Sequence, residues 1–256
     1  MRLNLNADLG ESFGAWSMGD DEHLLQVVNS ANIACGFHAG DPLVMNQTIT
    51  QAKKQAVSIG AHPGFADLQG FGRRQMLMKD AEIGALVLYQ LAALGGMAQS
   101  YGYKMTHVKP HGALNNMACE DRHLAQLIVE AVRQFDPNLI FLAPVLSELE
   151  SSATQAGLCV AGEIFADRAY AEDGTLVSRN QPGAVLASAS ECIEHVRQMI
   201  SARGLVTVSG KVLSTDFQSI CVHGDNAHAV DTARQIRAAL LADSHELVTL
   251  PQLLGG

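Results

Sequence analysis

Short hydrophobic segments alternate along most of the chain with longer segments of amphipathic character. The short segments are apolar or half-apolar and about four to eight residues long, which is typical of buried strands. They lie at 2–9, 31–37, 57–62, 105–109, 139–143, 158–164 and 219–223. The segments between them predict helices at 21–29, 43–56, 80–101, 119–135, 145–156, 188–203 and 226–242. The alternation therefore predicts seven β–α units.

The order of these units indicates the fold class. Strict β–α alternation predicts a parallel sheet. The chain lacks both Gly-rich phosphate-binding motifs, Gly-x-x-x-x-Gly-Lys-Ser/Thr and Gly-x-Gly-x-x-Gly, which favours closure into a barrel over an open nucleotide-binding sheet. We therefore expect an α/β protein, a (β/α) barrel of about seven units, and a single domain over residues 1–256.

The composition limits which binding partners and which cellular compartment we expect for this chain. With 17 Lys and Arg against 26 Asp and Glu the net charge is −9, which disfavours nucleic acid and anionic lipid. The N-terminus lacks the apolar core of a signal peptide, and we expect no window of about 18 apolar residues that could span a membrane. The 5 cysteines are scattered and include no Cys-x-x-Cys motif, which predicts reduced thiols in the cytoplasm.

Polar residues of chemical interest follow almost every predicted strand. The carboxyl ends of barrel strands meet at one face, so residues that follow different strands converge on one pocket. Successive strand ends carry Asp8 and Glu11, His38 and Asp41, His62 and Asp67, Lys109 and His111, Glu163 with Asp167 and Arg168, and His223 and Asp225. These groups can bind metal, transfer protons or hold anions.

Each of these residues also has a structural interpretation. A single His or Asp beside a glycine is often a turn residue or a helix cap. The remaining helix-associated histidines lack the strand-end context, and we expect them to be structural or solvated; they are His23, His123, His195, His228 and His245. Alternation in the first strand places Asn4, Asn6 and Asp8 on one face, where a buried hydrogen-bond network is our interpretation for Asn4.

A divalent metal would suit His38, His62 and His111 together with Asp8, and we take Asp8, His62 and His111 as the candidate ligands. No His-Glu-x-x-His helix enforces this set. The His-x-x-x-His pair formed by His107 and His111 lies on an extended segment, which would hold its rings roughly 13 Å apart.

Two basic positions are candidates for binding anions. Arg73 lies beside Arg74 in the long loop 63–79, and Lys109 ends a strand immediately before Pro110. An unpaired amine is costly in a dry site, so we expect Lys109 to contact a carboxylate or an anionic substrate. We also expect Lys109→Met to preserve stability and to abolish most of the activity.

Eight motifs in the chain resemble the LamB/YcsF family. In order they are NADLGESFG at 6–14, SANIACGFHAGDP at 30–42, GAHPG at 60–64, DLQGFGRR at 67–74, HVKPHGAL at 107–114, EIFADR at 163–168, RNQPG at 179–183 and ICVHGDN at 220–226. Two positions depart from the family pattern, which has aspartate in place of Asn4 and tyrosine in place of Asn115.

The resemblance implies a barrel related to glycoside hydrolase and deacetylase barrels. It also implies the A subunit of an ATP-dependent 5-oxoprolinase, which opens 5-oxo-L-proline to L-glutamate together with partner subunits B and C, ATP and Mg²⁺. An unactivated lactam is a poor electrophile, whereas phosphorylation of its oxygen permits attack by water.

On this hypothesis the strand-end residues divide into two sets. The acid–base set is Asp8, His38, Asp41, His62, His111 and His223, among which one His with a pKa near neutrality would act as base. The substrate-binding set is Asn6, Glu11, Arg73, Lys109, Glu163, Arg168 and Asp225. Two alternatives stay open: a stand-alone metal-dependent deacetylase or amidohydrolase, and a non-catalytic lactam-binding subunit.

Overall fold

The computed structural model describes residues 1–222 and 229–254. The strands in this part are β1 (Arg2–Leu9), β2 (Ser30–Ala34), β3 (Ser58–His62), β4 (Met105–Val108), β5 (Ile140–Pro144), β6 (Cys159–Phe165), β7 (Gly204–Val206), β8 (Val212–Ser214), β9 (Ser219–Val222) and β10 (Glu246–Leu247). Strands β1 to β6 and β9 are parallel neighbours in that order, and β9 pairs with β1. These seven strands form a closed barrel, which confirms the predicted fold class.

Helices between the strands cover the outside of the barrel, and a short last helix follows β10. They are α1 (Asp21–Leu24), α2 (Pro42–Lys54), α3 (Asp80–Ser100), α4 (Gly112–Glu120), α5 (Arg122–Phe135), α6 (Glu148–Gln155), α7 (Ala189–Ala202), α8 (Ala229–Ala242) and α9 (Leu250–Leu254). The predicted helix 21–29 is shorter than expected. The predicted helix 226–242 begins outside the described residues, which resume at Ala229.

The single helix predicted at 119–135 was wrong, because the segment holds the end of α4 and a separate α5. Asp121 separates them: its carboxylate accepts hydrogen bonds from the main-chain N–H groups of His123 and Leu124. A side chain that satisfies the first amides of a helix fixes where that helix begins. The earlier helix α4 starts directly after His111.

Hydrogen-bonded polar side chains occupy the barrel interior. Asn4 donates to the hydroxyl of Ser30 at 2.8 Å, and Asn6 donates to the hydroxyl of Ser219 at 2.8 Å. Asn32 donates to Asn6 Oδ1 at 2.8 Å, and all five side chains are fully buried. The interpretation of Asn4 as part of a buried network is confirmed.

Some short elements were not predicted from the sequence. Strands β7 and β8 pair with each other as an antiparallel ribbon, and β10 adds to the edge of β1. After β10, Leu250 of α9 packs against Ile140, Leu142 and Ala161. These segments are only two to five residues long, too short for a hydrophobic period to be read.

Helix α3 contradicts the expectation about apolar windows. By length and composition alone it could span a membrane, since an 18-residue window has a mean hydropathy of 1.4. Its buried side chains belong to the barrel core: Ile83, Leu86, Val87, Leu91, Leu94 and Ala98. The helix is apolar because it packs against the barrel and against α5.

Close packing inside the barrel requires one particular glycine. Gly60 in β3 is the register partner of His107 in β4, and a Cβ built on Gly60 would overlap the imidazole ring. His107 donates from Nε2 to Asn32 Oδ1 at 3.1 Å, within the buried network. The ring therefore occupies the space that the missing side chain leaves.

Candidate active site

A pocket of about 520 Å³ opens at the carboxyl ends of the barrel strands. Its lining includes seven residues singled out from the sequence: Asp8, Glu11, His62, Arg73, Lys109, His111 and Arg168. These residues lie at or after the ends of four different strands, some of them in the two long loops. The closed barrel therefore brings together groups that are far apart in the chain.

The other predicted residues lie elsewhere. His38 is buried behind the pocket, and Asn6 and Glu163 are fully buried in the barrel interior. His223 and Asp225 lie outside the described residues.

Asp41 caps helix α2 and is not among the residues that line the pocket. Its Oδ1 accepts from the N–H groups of Leu43 and Val44, and its Oδ2 accepts from Gly14 N at 2.7 Å. These main-chain hydrogen bonds, from Gly14 first and then Val44, lower the pKa of Asp41. The carboxylate secures the start of α2 and the loop after β1.

Lys109 lies at the floor of the pocket and is 2% exposed. Its Nζ is 3.0 Å from Glu163 Oε1, 3.2 Å from Asp8 Oδ1 and 3.1 Å from Cys221 Sγ. Burial by itself would lower the pKa of Lys109, but Asp8, Cys221 and Glu163 hold it well above the usual value. The expected contact with a carboxylate is present, and the amine is charged.

Glu163 connects this ion pair to the interior network. Its Oε1 accepts a hydrogen bond from Asn6 at 2.8 Å, whereas its Oε2 has no hydrogen-bond partner among the described residues. Burial raises the pKa of Glu163, and the Lys109 ammonium opposes that shift. One ammonium therefore faces two carboxylates, the fully buried Glu163 and the partly buried Asp8.

A cluster of imidazoles and one carboxylate forms the adjoining wall. Ligating atoms of Glu11, His38, His62 and His111 all lie within 4.8 Å of one another. The two inward nitrogens, His62 Nε2 and His111 Nδ1, are 3.0 Å apart, and Glu11 Oε1 is 3.5 Å from His111 Nδ1. This cluster could hold a metal ion, and it contains two of the three predicted ligands, with Glu11 in place of Asp8.

The protonation of His38 and His111 differs from the expectation of a base with a pKa near neutrality. Burial lowers the pKa of His111 to about 3, with a further contribution from His62. Burial also lowers the pKa of His38 well below its usual value, and His111 adds to that effect. Both rings are therefore neutral at pH ~7, where a neutral imidazole offers one lone pair.

The long loop after β3 is fixed to the barrel by buried hydrogen bonds that the sequence did not reveal. Gln90 of α3 accepts from Gly64 N and donates to Gly64 O, both at 2.9 Å. Further along, the carbonyl of Phe71 accepts from His111 Nε2 at 2.8 Å. Arg74 pairs with Asp67 inside the loop, so this arginine is a structural group.

Arginines of both long loops also line the pocket. Arg168 donates to the carbonyls of Val177 and Ala184, which fixes its guanidinium within the loop after β6. Burial lowers the pKa of Arg168 to about 10, and the nearby charges of Arg179 and Arg73 contribute. Arg179 was missed as a site residue, although its loop carries one of the recognised motifs.

The helix-associated histidines, which we expected to be structural or solvated, lie outside the histidine cluster wherever the structure describes them. Among those described, His23, His123 and His245 are at the surface, and His195 contacts the carbonyl of Arg168 at 3.0 Å. None of these four belongs to the histidine cluster, and His228 lies outside the described residues.

Comparison with known proteins agrees with this architecture. The chain is similar to a curated protein from Azoarcus sp. (strain BH72) that is named as the A subunit of 5-oxoprolinase, with 59% identity over 253 residues and 99% of each chain covered. It superimposes on the crystal structure of the lactam utilization protein from Thermus thermophilus with a TM-score of 0.92 and 39% identity, covering 98% of this chain and 100% of the other.

A more distant neighbour shares the fold alone. The catalytic domain of a peptidoglycan N-acetylglucosamine deacetylase from Eubacterium rectale ATCC 33656 gives a TM-score of 0.51 at 10% identity, covering 97% of this chain and 89% of the other. The sequence profile described as the LamB/YcsF family matches residues 3–255. This chain therefore belongs to the LamB/YcsF family.

Proposed function

We propose that this chain is the A subunit of an ATP-dependent 5-oxoprolinase that converts 5-oxo-L-proline to L-glutamate. The names of its close relatives support the reaction. The observation that carries the proposal for the pocket is the combination of groups that line it. The charged Lys109 and Arg168 line the same pocket as the imidazole and carboxylate groups around His62.

The arginines that line the pocket are suited to bind the carboxylate of 5-oxoproline. Arg73, Arg168 and Arg179 all line the pocket, and guanidinium groups bind carboxylates and phosphates through paired N–H donors. Because Arg168 is held by main-chain carbonyls, it is fixed in place before a ligand arrives. The lactam oxygen would then lie near the Lys109 ammonium at the floor.

The chemistry requires ATP because the lactam C–N bond is resonance-stabilised. Transfer of the terminal phosphoryl group of ATP to the lactam oxygen releases ADP and leaves a phosphorylated imidate. Water adds to the ring carbon and the C–N bond breaks as the nitrogen takes up a proton, which leaves an acyl phosphate. A second water molecule hydrolyses this acyl phosphate to glutamate and inorganic phosphate. In this scheme Lys109 and Arg168 stabilise the anionic oxygens, and Asp8, beside His62, accepts a proton from water.

The phosphorylating step is assigned to the partner subunits B and C, with ATP bound as its Mg²⁺ complex. This chain is acidic and has neither of the Gly-rich motifs that cradle phosphates. All five cysteines lie in the described part of the chain as free thiols, which fits the cytoplasm, where ATP is available.

Reconstitution tests this assignment. The purified chain alone should release no glutamate from 5-oxoproline, whereas the chain with B, C, ATP and Mg²⁺ should release glutamate and phosphate in equal amounts. ATP-coupled turnover by the single chain would contradict the division of labour. ATP-independent hydrolysis of an N-acyl sugar would instead support the deacetylase alternative, which the histidine and glutamate donor set favours.

Arg168→Met tests the position of the substrate carboxylate. Loss of one charge-assisted contact should raise the KM for 5-oxoproline by roughly 10-fold or more. Arg133→Met is the matched control, because Arg133 pairs with Glu130 on the exposed face of α5 and should leave KM unchanged. An unchanged KM in Arg168→Met would remove Arg168 from the substrate site.

A further inference from the structure

We infer that Glu11, His62 and His111 form a binding site for one divalent transition-metal ion, with His38 as a positioning residue behind it. The inference rests on the direction of the imidazole lone pairs, on the spacing of the donor atoms and on their position at the pocket wall. It does not depend on the lactam substrate.

The hydrogen bonds of two histidines fix their tautomers. His62 Nδ1 is 2.7 Å from the carbonyl oxygen of Lys109, and His111 Nε2 is 2.8 Å from the carbonyl oxygen of Phe71. A carbonyl oxygen only accepts, so each of these nitrogens carries the N–H. The other nitrogens, His62 Nε2 and His111 Nδ1, are then the ones left to share a proton or to bind a metal ion through a lone pair.

These two nitrogens face each other at 3.0 Å. Two acceptors at this distance repel unless a cation lies between them. A carbonyl that accepts from the outer N–H of a histidine is also the usual way in which proteins orient an imidazole toward a metal. The arrangement therefore calls for a shared proton or a metal ion, and the third donor favours the metal.

That third donor is the carboxylate of Glu11, whose Oε1 lies 3.5 Å from His111 Nδ1. Bonds of about 2.0–2.1 Å to a tetrahedral ion keep neighbouring ligand atoms about 3.3 Å apart. The observed separations of 3.0 and 3.5 Å bracket this value. Two neutral imidazoles and one carboxylate form a donor set suited to Zn²⁺ and related ions, and all three residues line the pocket.

His38 belongs to the cluster but not to the ligand set. Its ring is parallel to that of His111, with centroids 3.6 Å apart and planes 4° apart. An imidazole binds a metal in its ring plane, so two rings stacked this closely cannot both direct a lone pair at one ion. His38 Nε2 instead lies 3.3 Å from Glu11 Oε1, where it orients the carboxylate.

Asp8 is also set apart from the ligands. Its Oδ2 approaches His62 Nε2 at 3.4 Å, but its Oδ1 is bonded to Asn32 and Lys109, and it is not one of the four residues whose donor atoms mutually converge. The carboxylate therefore lies beside the metal site. A bound cation would polarise an oxygen atom of a ligand in the pocket.

Metal content of the untagged chain tests the site directly. The protein is stripped with a chelator, exposed separately to Zn²⁺, Co²⁺ and Mn²⁺, desalted and analysed by mass spectrometry of the elements. We expect about one retained equivalent of Zn²⁺ or Co²⁺, a visible Co²⁺ absorption band of a low-symmetry site, and a higher Tm that chelator reverses. Retention of no metal together with an unchanged Tm would overturn the inference and leave a shared proton.

Substitutions then assign the ligands. Glu11→Gln, His62→Gln and His111→Gln should each weaken Co²⁺ binding by more than about 100-fold, and His38→Phe, which keeps the stacked ring, by about 10- to 100-fold. His123→Gln, at an exposed histidine, is the matched control and should bind like the wild type.

Circular dichroism of each apo variant separates lost ligands from lost folding. Wild-type affinity for Co²⁺ in all three ligand variants would overturn the assignment. If these variants fail to fold, the Co²⁺ absorption spectrum of the wild-type chain decides whether the site binds metal. Because none of these readouts uses 5-oxoproline, ATP or a partner protein, failure of the metal site and failure of the proposed reaction are distinguishable.

Discussion

Replacement of Lys109 by methionine separates the charge of this residue from its packing. The sequence alone led us to expect near-normal stability, because methionine keeps most of the apolar stem. The structure leads to a different expectation, because Nζ is buried between Asp8 and Glu163, at 3.2 and 3.0 Å. Lys109→Met therefore leaves two carboxylates without their cation.

The size of the effect follows from these distances. At an effective dielectric constant of about 20, each carboxylate attracts the ammonium by about 5 kcal/mol, and desolvation of the charges offsets much of that sum. Removal of one member of a buried ion pair costs about 3–5 kcal/mol in measured cases. For a chain of this size that loss lowers Tm by roughly 6–20 °C.

The pH dependence of this loss has a defined sign. In Lys109→Met, Glu163 loses the cation that lowers its pKa but keeps the burial that raises it. Its folded pKa then lies further above its unfolded value, so the destabilisation is complete above the folded pKa and shrinks as the pH falls through it. Urea unfolding of the variant at about pH 5 and pH 8 measures this difference.

A second substitution makes the test decisive. Lys109→Met with Glu163→Gln removes one of the uncompensated charges and keeps an acceptor for Asn6, so at least about 1 kcal/mol of the unfolding free energy should return. Activity in the reconstituted complex should remain roughly 100-fold reduced in both variants. A single variant within about 1 kcal/mol of the wild type, or a double variant no more stable than the single, would refute the reasoning.

Other substitutions examine single contacts. Asp41→Ala should cost about 1 kcal/mol in urea unfolding through loss of a helix cap, with kcat of the complex unchanged; a large fall in kcat would restore Asp41 to catalysis. Gly60→Ala should destabilise the chain by more than about 3 kcal/mol because the new methyl group displaces His107, whereas Gly84→Ala, on an open helix surface, should be neutral or stabilising by up to about 1 kcal/mol. Gln90→Leu should cost about 2 kcal/mol by leaving two main-chain groups unpaired, and an unchanged midpoint would show that water replaces the amide.

The sequence determined the architecture because that information is local and repeated. Alternation of apolar strands and amphipathic helices predicted the barrel order, and the β1 prediction matched its bounds at Arg2–Leu9. The helix predicted at 119–135 joined two helices into one, because hydrophobic periodicity does not show that Asp121 caps the start of a second helix. The polar residues that follow the strands were recognised for the same reason, since the end of an apolar run is visible in one dimension.

Only the tertiary structure decided what those polar residues do. His62 and His111 are 49 positions apart, and Asn6 and Glu163 are 157 apart, so no local pattern records that their atoms meet. The selection of Glu11 over Asp8 as the candidate ligand depends on distances between side chains of different strands. A site is defined by the directions of lone pairs and charges in space, and those directions exist only once the barrel has closed.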